Sequence, residues 1–171
     1  TGRDTFGELP DLTGQSTKTP ALHLSTSIRS FRAEALSDFV ASVLEGDIQG
    51  ARGLQQRLED YPIKLTRDLS EARSWVRSQA RGSERFGLVA SSNAMRLKPI
   101  GLNLKAPIDP TNWFLNGKDD VRSSYALEDV ATEFDVQGLE LDWVGMCWDA
   151  NLVRQNNDWM IRRFSGTKWQ Q

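Results

Sequence analysis

Apolar positions along the chain fall in short blocks whose spacing switches between helical and extended. Leu36, Phe39, Val40, Val43 and Leu44 recur every three or four residues and stop at Gly46, which predicts a helix with one apolar face. Asp47 then caps a second short helix carrying Ile48, Ala51, Leu54 and Leu58 and ended by Pro62. Asp68 and Glu71 form a capping-box pattern ahead of Leu69, Ala72 and Val76, predicting a helix from about Leu69 to Ala80. Phe86-Gly87-Leu88-Val89-Ala90 is continuous rather than alternating, as expected of a strand covered on both faces, and it opens into Ser91-Ser92-Asn93.

The remaining blocks are shorter. Leu22-His23-Leu24 and Tyr61 to Leu65 read as strands, Lys98 to Lys118 with Pro99, Pro107 and Pro110 as mostly loop, and Leu127 to Phe134 as a short helix or turn. Leu141 to Trp148 and Trp159 to Phe164 read as strands paired in a hairpin across the polar segment Asn151 to Asp158. The first twenty residues, with Gly2, Gly7, Pro10, Gly14 and Pro20 and no apolar period, read as an irregular lead-in to a domain over 21–171. Strands alternating with helices predict an α/β domain with a mainly parallel sheet.

Composition narrows the function. The 171 residues carry 21 Lys and Arg against 23 Asp and Glu, and the net charge of −2 gives no general field that would draw in phosphate backbones. Nucleic-acid contact, if made, is local or shared with a partner domain. One cysteine, Cys147, excludes an intrachain disulfide framework, and with His23 the only histidine there is no set of zinc ligands; a reducing, cytoplasmic setting fits. No apolar run approaches the ~20 residues of a membrane span. No Gly-x-x-x-x-Gly-Lys-Ser/Thr sequence occurs, so the chain has no P-loop of its own.

The richest local chemistry lies in Val136-Gln137-Gly138-Leu139-Glu140-Leu141-Asp142. Gly138 permits a sharp turn or close approach to a ligand, and Gln and Glu flank it at the mouth of an apolar strand. Glu133, Asp135, Glu140 and Asp142 raise the alternative of a magnesium-dependent nuclease, with Glu140 and Asp142 on one face of a strand. No lysine follows closely to assist a metal-bound water, and solvated or capping carboxylates account for the group more simply. Cys147 within an apolar strand reads as a small core residue rather than a nucleophile, and His23 as a structural imidazole.

Three stretches resemble motifs of the second RecA-like domain of a superfamily 1 helicase. Leu24-Ser25-Thr26-Ser27-Ile28-Arg29-Ser30 looks like motif IV, Gly87-Leu88-Val89-Ala90-Ser91-Ser92-Asn93 resembles motif IVa, and Ala131-Thr132-Glu133-Phe134-Asp135-Val136-Gln137-Gly138-Leu139-Glu140 resembles motif V. The order and content are similar to those of the schlafen-group DNA/RNA helicase-like family, across about Leu22 to Trp169. The resemblance implies a RecA-like fold of P-loop NTPase type, incomplete at its C-terminus. It implies that Arg29 senses nucleotide phosphates, that Gln137, Gly138 and Glu140 line the nucleotide, with the Gly138 amide near the γ-phosphate and Glu140 on the ribose, and that Ser91, Ser92, Asn93 and Thr132 face nucleic acid. Phe134 departs from the pattern, standing where many such helicases have His or Asp.

On the same resemblance the expected function is the C-terminal RecA-like part of an ATP-dependent helicase or translocase. Its partners are the first RecA-like domain of the same polypeptide and single-stranded DNA or RNA, with no membrane. ATP and magnesium are held only in the intact protein, and the chain alone hydrolyses nothing. From the residues themselves the alternatives stay open: Arg29 a surface arginine, Gly138 an ordinary turn glycine, Glu140 an edge carboxylate, Ser91 to Asn93 a helix cap, and the whole an interaction module without activity.

Overall fold

The computed structural model describes residues 34–58 and 61–170, so the expectations for the lead-in, for Leu22–Leu24 and for Arg29 lie outside the described residues. The chain divides into two compact units, Thr1–Ile63 and Lys64–Gln171. In the first, α1 (Glu34–Glu45) ends at Gly46 and α2 (Ile48–Gln55) begins after Asp47, whose carboxylate accepts from the Gly50 amide at 2.9 Å. Ala51 and Leu58 are buried, as the apolar spacing predicts.

The expected strand at Tyr61–Leu65 does not form; the backbone there is bent and irregular. Pro62 has no amide to give a ladder, Leu65 is 96% exposed, and Lys64 instead pairs with Glu71 at 2.8 Å. Thr66 Oγ1 also donates to Glu71 at 2.6 Å, so Glu71 holds the approach to α3 (Leu69–Gln79) while Asp68 caps it, accepting from the amides of Ser70 and Glu71. The helix start is therefore where the capping pattern predicts, with Glu71 turned to Thr66 and Lys64 rather than back to the cap amide.

The second unit is built on a three-stranded parallel sheet. Its strands are β1 (Phe86–Ala90), β2 (Val130–Thr132) and β3 (Trp143–Cys147), in the order β2-β1-β3. All five residues of β1 are buried, and the reason is visible in its two faces. Phe86, Leu88 and Ala90 join Val76 of α3, Leu97, Leu102, Leu127 and Val130 in one cluster, and Val89 joins Trp113 and Ala131 in the other. Trp113 belongs to α4 (Pro110–Leu115), capped by Asp109 through the amides of Thr111 and Asn112. Complete burial of each such side chain contributes about 1.5–3 kcal/mol, so the sheet is the stable centre of this unit.

Three expectations need correction. Residues 127–134 hold β2 rather than a helix or turn alone, because Leu88, Val89 and Ala90 offer a ladder to Val130, Ala131 and Thr132. The segment 98–118 is less irregular than its prolines predict: a 3-10 helix spans Met95–Ile100, and Pro110 starts α4 where a missing amide costs nothing. Finally, the strand after Leu141 pairs parallel with β1, Phe86 opposite Trp143 through Ala90 opposite Cys147, and takes no part in a hairpin.

The C-terminal hairpins lie further along. β4 (Leu152–Gln155) pairs with β5 (Asp158–Ile161), and β6 (Arg163–Ser165) with β7 (Lys168–Gln170). Asn156 and Asn157 both have positive φ, 52° and 70°, the two-residue turn whose twist matches a tight hairpin and which Asn tolerates well. The architecture is thus an α/β unit, a small parallel sheet flanked by helices, followed by antiparallel hairpins.

Candidate functional site

Because the three strands run in parallel and in register, Ala90, Thr132 and Cys147 end together at one edge of the sheet. Crevices beyond the carboxyl ends of parallel strands are where such sheets hold ligands, and the polar residues of this unit gather there. Ser91-Ser92-Asn93 follows β1, Glu133 to Gly138 follows β2, and Trp148-Asp149 follows β3.

Glu133 spans the first two of these loops. Its carboxylate accepts from the Ser92 amide at 2.7 Å and from the Ser92 hydroxyl at 2.8 Å, one bond to each oxygen. Burial pushes the Glu133 carboxyl up, but the two Ser92 bonds outweigh it and hold the group below its ordinary range. Thr132 is tied in the same manner, its amide and hydroxyl both donating to Asp135 at 2.8 and 2.6 Å. Ser91 Oγ accepts from the Asn151 side chain at 3.2 Å, and buried Asp149 accepts from the amides of Ala150 and Arg96. The edge is therefore pre-organised by its own carboxylates.

The loop leaving β2 explains the alternation in its sequence. Val136, Leu139 and Leu141 pack against the Val89, Trp113 and Ala131 cluster, which turns Gln137, Gly138 and Glu140 outward to solvent. Gly138 has φ +81°, a conformation that L side chains rarely adopt, and the space where a Cβ would stand is open to 4 Å. The Glu140 carboxylate makes no hydrogen bond or ion pair among the described residues. Phe134, at the position that departs from the helicase pattern, is 67% exposed.

Of the residues singled out from sequence, Ser91, Ser92, Asn93 and Thr132 share the strand edge, and Gln137, Gly138 and Glu140 share the loop that begins at Thr132. Arg29 lies outside the described residues. Sequence reasoning missed Glu133 as the partner of Ser92 and Asp135 as that of Thr132, and gave Asp149 and Asn151 no role at this edge; for Glu133 and Asp149 a polar residue one or two places past an apolar strand was the available signal.

The four acidic residues weighed as metal ligands do not converge. Glu133 and Asp135 are engaged at the carboxyl edge, while Asp142 stands before β3 at the opposite end of the sheet and accepts from the Arg85 amide at 2.6 Å, outside any strand. No group of three or more His, Cys, Asp or Glu among the described residues could hold a metal ion. Cys147 is half-buried, and burial pushes its thiol up to about 11, away from nucleophilic use.

Residues 8–171 match the family model described as Schlafen group 3, DNA/RNA helicase domain. The chain belongs to this family. No curated protein matches the chain, and no solved structure does. In this Schlafen group 3 helicase domain, the β1 loop and the loop with Gly138 that follows β2 both stand at the carboxyl side of the sheet. The helicase domain is a helicase-related module whose family ties it to nucleic acid. No helix among its described residues is long and apolar enough to cross a membrane.

Proposed function

We propose that the chain is the second RecA-like part of an ATP-dependent DNA/RNA helicase or translocase, supplying one wall of an ATP cleft and part of a single-strand track. The observation that carries this reading is the loop after β2, where apolar anchors hold Gln137, Gly138 and Glu140 outward. A glycine with open space lets a phosphate approach the backbone, and an unpaired carboxylate can accept two hydroxyl bonds from a ribose. Arg29 is the phosphate sensor in this reading, its guanidinium suited to a planar fork of oxygens. Bound ATP supplies the free energy of hydrolysis; the residues here bind and orient it. In this reading magnesium is held only in the intact protein, by the first RecA-like domain of the same polypeptide.

At the strand edge, Ser92 and Thr132 donate to their own acids, which fixes the loops and leaves the exposed Asn93 side chain as the group most open to a nucleic-acid strand. One wall cannot couple hydrolysis to domain movement. The purified 171-residue chain is accordingly expected to show no ATP hydrolysis above background, with or without single-stranded DNA or RNA. Hydrolysis by the chain alone, lost on Glu140→Ala, would contradict the reading.

A further inference from the structure

The segment after β3 is chemically unlike the rest of the chain. Residues 151–170 hold four cations, Arg154, Arg162, Arg163 and Lys168, against the single carboxylate Asp158, a net charge of +3 in a chain whose total is −2. The same stretch and its approach hold three of the six tryptophans, Trp148, Trp159 and Trp169.

These aromatics are not a closed core. Trp148 is 57% exposed and Ile161 80% exposed. Trp148 and Trp159 lie with ring centroids 6.2 Å apart and planes inclined by 34°, and the Trp148 indole is fixed by a 2.8 Å bond from Nε1 to the Leu152 carbonyl. In the β4–β5 register Arg154 is directly opposite Trp159, and Leu152 opposite Ile161, so all four share one face of the hairpin; the Arg154 guanidinium stands 5.9 Å from the Trp159 ring. On the second hairpin Phe164 and Trp169 pair on one face under the Arg96 guanidinium, which leaves Arg163 and Lys168 together on the other face, both exposed.

The hairpins also adjoin the strand edge: Asn151 donates to Ser91, and Arg96, just past the β1 loop, covers Phe164 and Trp169. Fixed indoles with an exposed face beside exposed cations are what a nucleic-acid strand with unstacked bases uses, since every base has a π face and every nucleotide a phosphate. A duplex keeps its bases stacked and would leave the indoles idle.

We propose that the two C-terminal hairpins form a contact surface for single-stranded nucleic acid, in which the Trp148–Trp159 pair stacks on bases and Arg154, Arg163 and Lys168 meet the phosphates. The inference shares the class of ligand with the helicase reading and rests on a different set of residues. The test is fluorescence anisotropy of the full 171-residue chain with labelled oligo-dT and oligo-U of about 20 nucleotides and with a duplex of equal length, across a salt series.

Tighter binding of the single strands than of the duplex is expected. R154E/R163E/K168E should weaken it at least ten-fold and lower the log–log salt slope by about 2, at roughly 0.7 for each phosphate that is no longer neutralised. Trp148→Ala should weaken it at least five-fold and remove part of the tryptophan quenching that accompanies binding, while Arg154→Lys keeps most of the affinity. Circular dichroism shows whether the variants are folded, and Trp148→Ala with Arg154→Gln gives a second route should the triple variant unfold. No binding, binding unchanged in the folded variants, or a duplex bound as tightly as a single strand would overturn the proposal. Asn93→Ala separates the two ideas: if it alone weakens binding, the strand-edge track stands and the hairpin surface falls.

Discussion

Glu133 takes both donors of Ser92 and so joins the loop after β1 to the loop after β2. Its carboxyl is held below its ordinary value of 4.5, so the stabilisation it gives is present above that value and is lost as pH falls through the lowered one. Glu133→Gln removes the charged acceptor and is expected to lower stability by about 1 kcal/mol at neutral pH, as urea midpoints would show, with the gap to the unsubstituted protein closing in acid. A gap that is the same at all pH values would mean that the charge of Glu133 contributes nothing. Cys147 gives an independent pH test. With its thiol pushed up to about 11 by burial, alkylation by iodoacetamide in the native protein should be slow at neutral pH and accelerate only as pH nears that value, whereas a rapid neutral reaction would show an exposed thiol. At this scale the sequence was legible where a residue answers to its neighbours in the chain: Gly138, read as a residue that permits a sharp turn, has φ +81°. It was not legible where a partner comes from another strand, as Ser92 and Glu133 do across 41 residues.

The elements that could be read from the sequence are those with punctuation. Gly46 ends α1, Asp47 and Asp68 cap α2 and α3, and the uninterrupted apolar run of β1 is buried on both faces. Those that escaped have their signal elsewhere: β2 is only three residues long, and β3 is an apolar strand whose side chains do not say whether β1 or a hairpin partner will receive them. Trp113 of α4 closes the face of the sheet opposite α3, and a Cβ on Gly87 would stand 2.7 Å from its ring. Gly87→Ala should therefore cost about 1–3 kcal/mol by overpacking. Trp113→Ala, at a site 1% exposed, should cost about 3–5 kcal/mol by leaving a cavity. Chemical denaturation measures both, and a neutral Gly87→Ala would show that α4 can move off the sheet without loss.

At the scale of the whole molecule, a chain with net charge −2 belongs to a DNA/RNA helicase domain family, and its last twenty residues depart from that balance with four cations against the single carboxylate Asp158. The parallel sheet brings its polar loops to one edge, where the loop with Gly138 and Glu140 is exposed, and in the proposed reading that loop meets a nucleotide from one side. The central claim is that this loop is a wall of an ATP cleft completed by another domain. Glu140 is exposed and bonded to nothing among the described residues, so its removal tests that claim without threatening the fold. The deciding measurement is steady-state ATP turnover by the intact polypeptide, with single-stranded nucleic acid present, before and after Glu140→Ala. The account predicts a KM for ATP raised at least ten-fold with thermal stability unchanged; an unaltered KM in the intact, ATP-hydrolysing protein would contradict it.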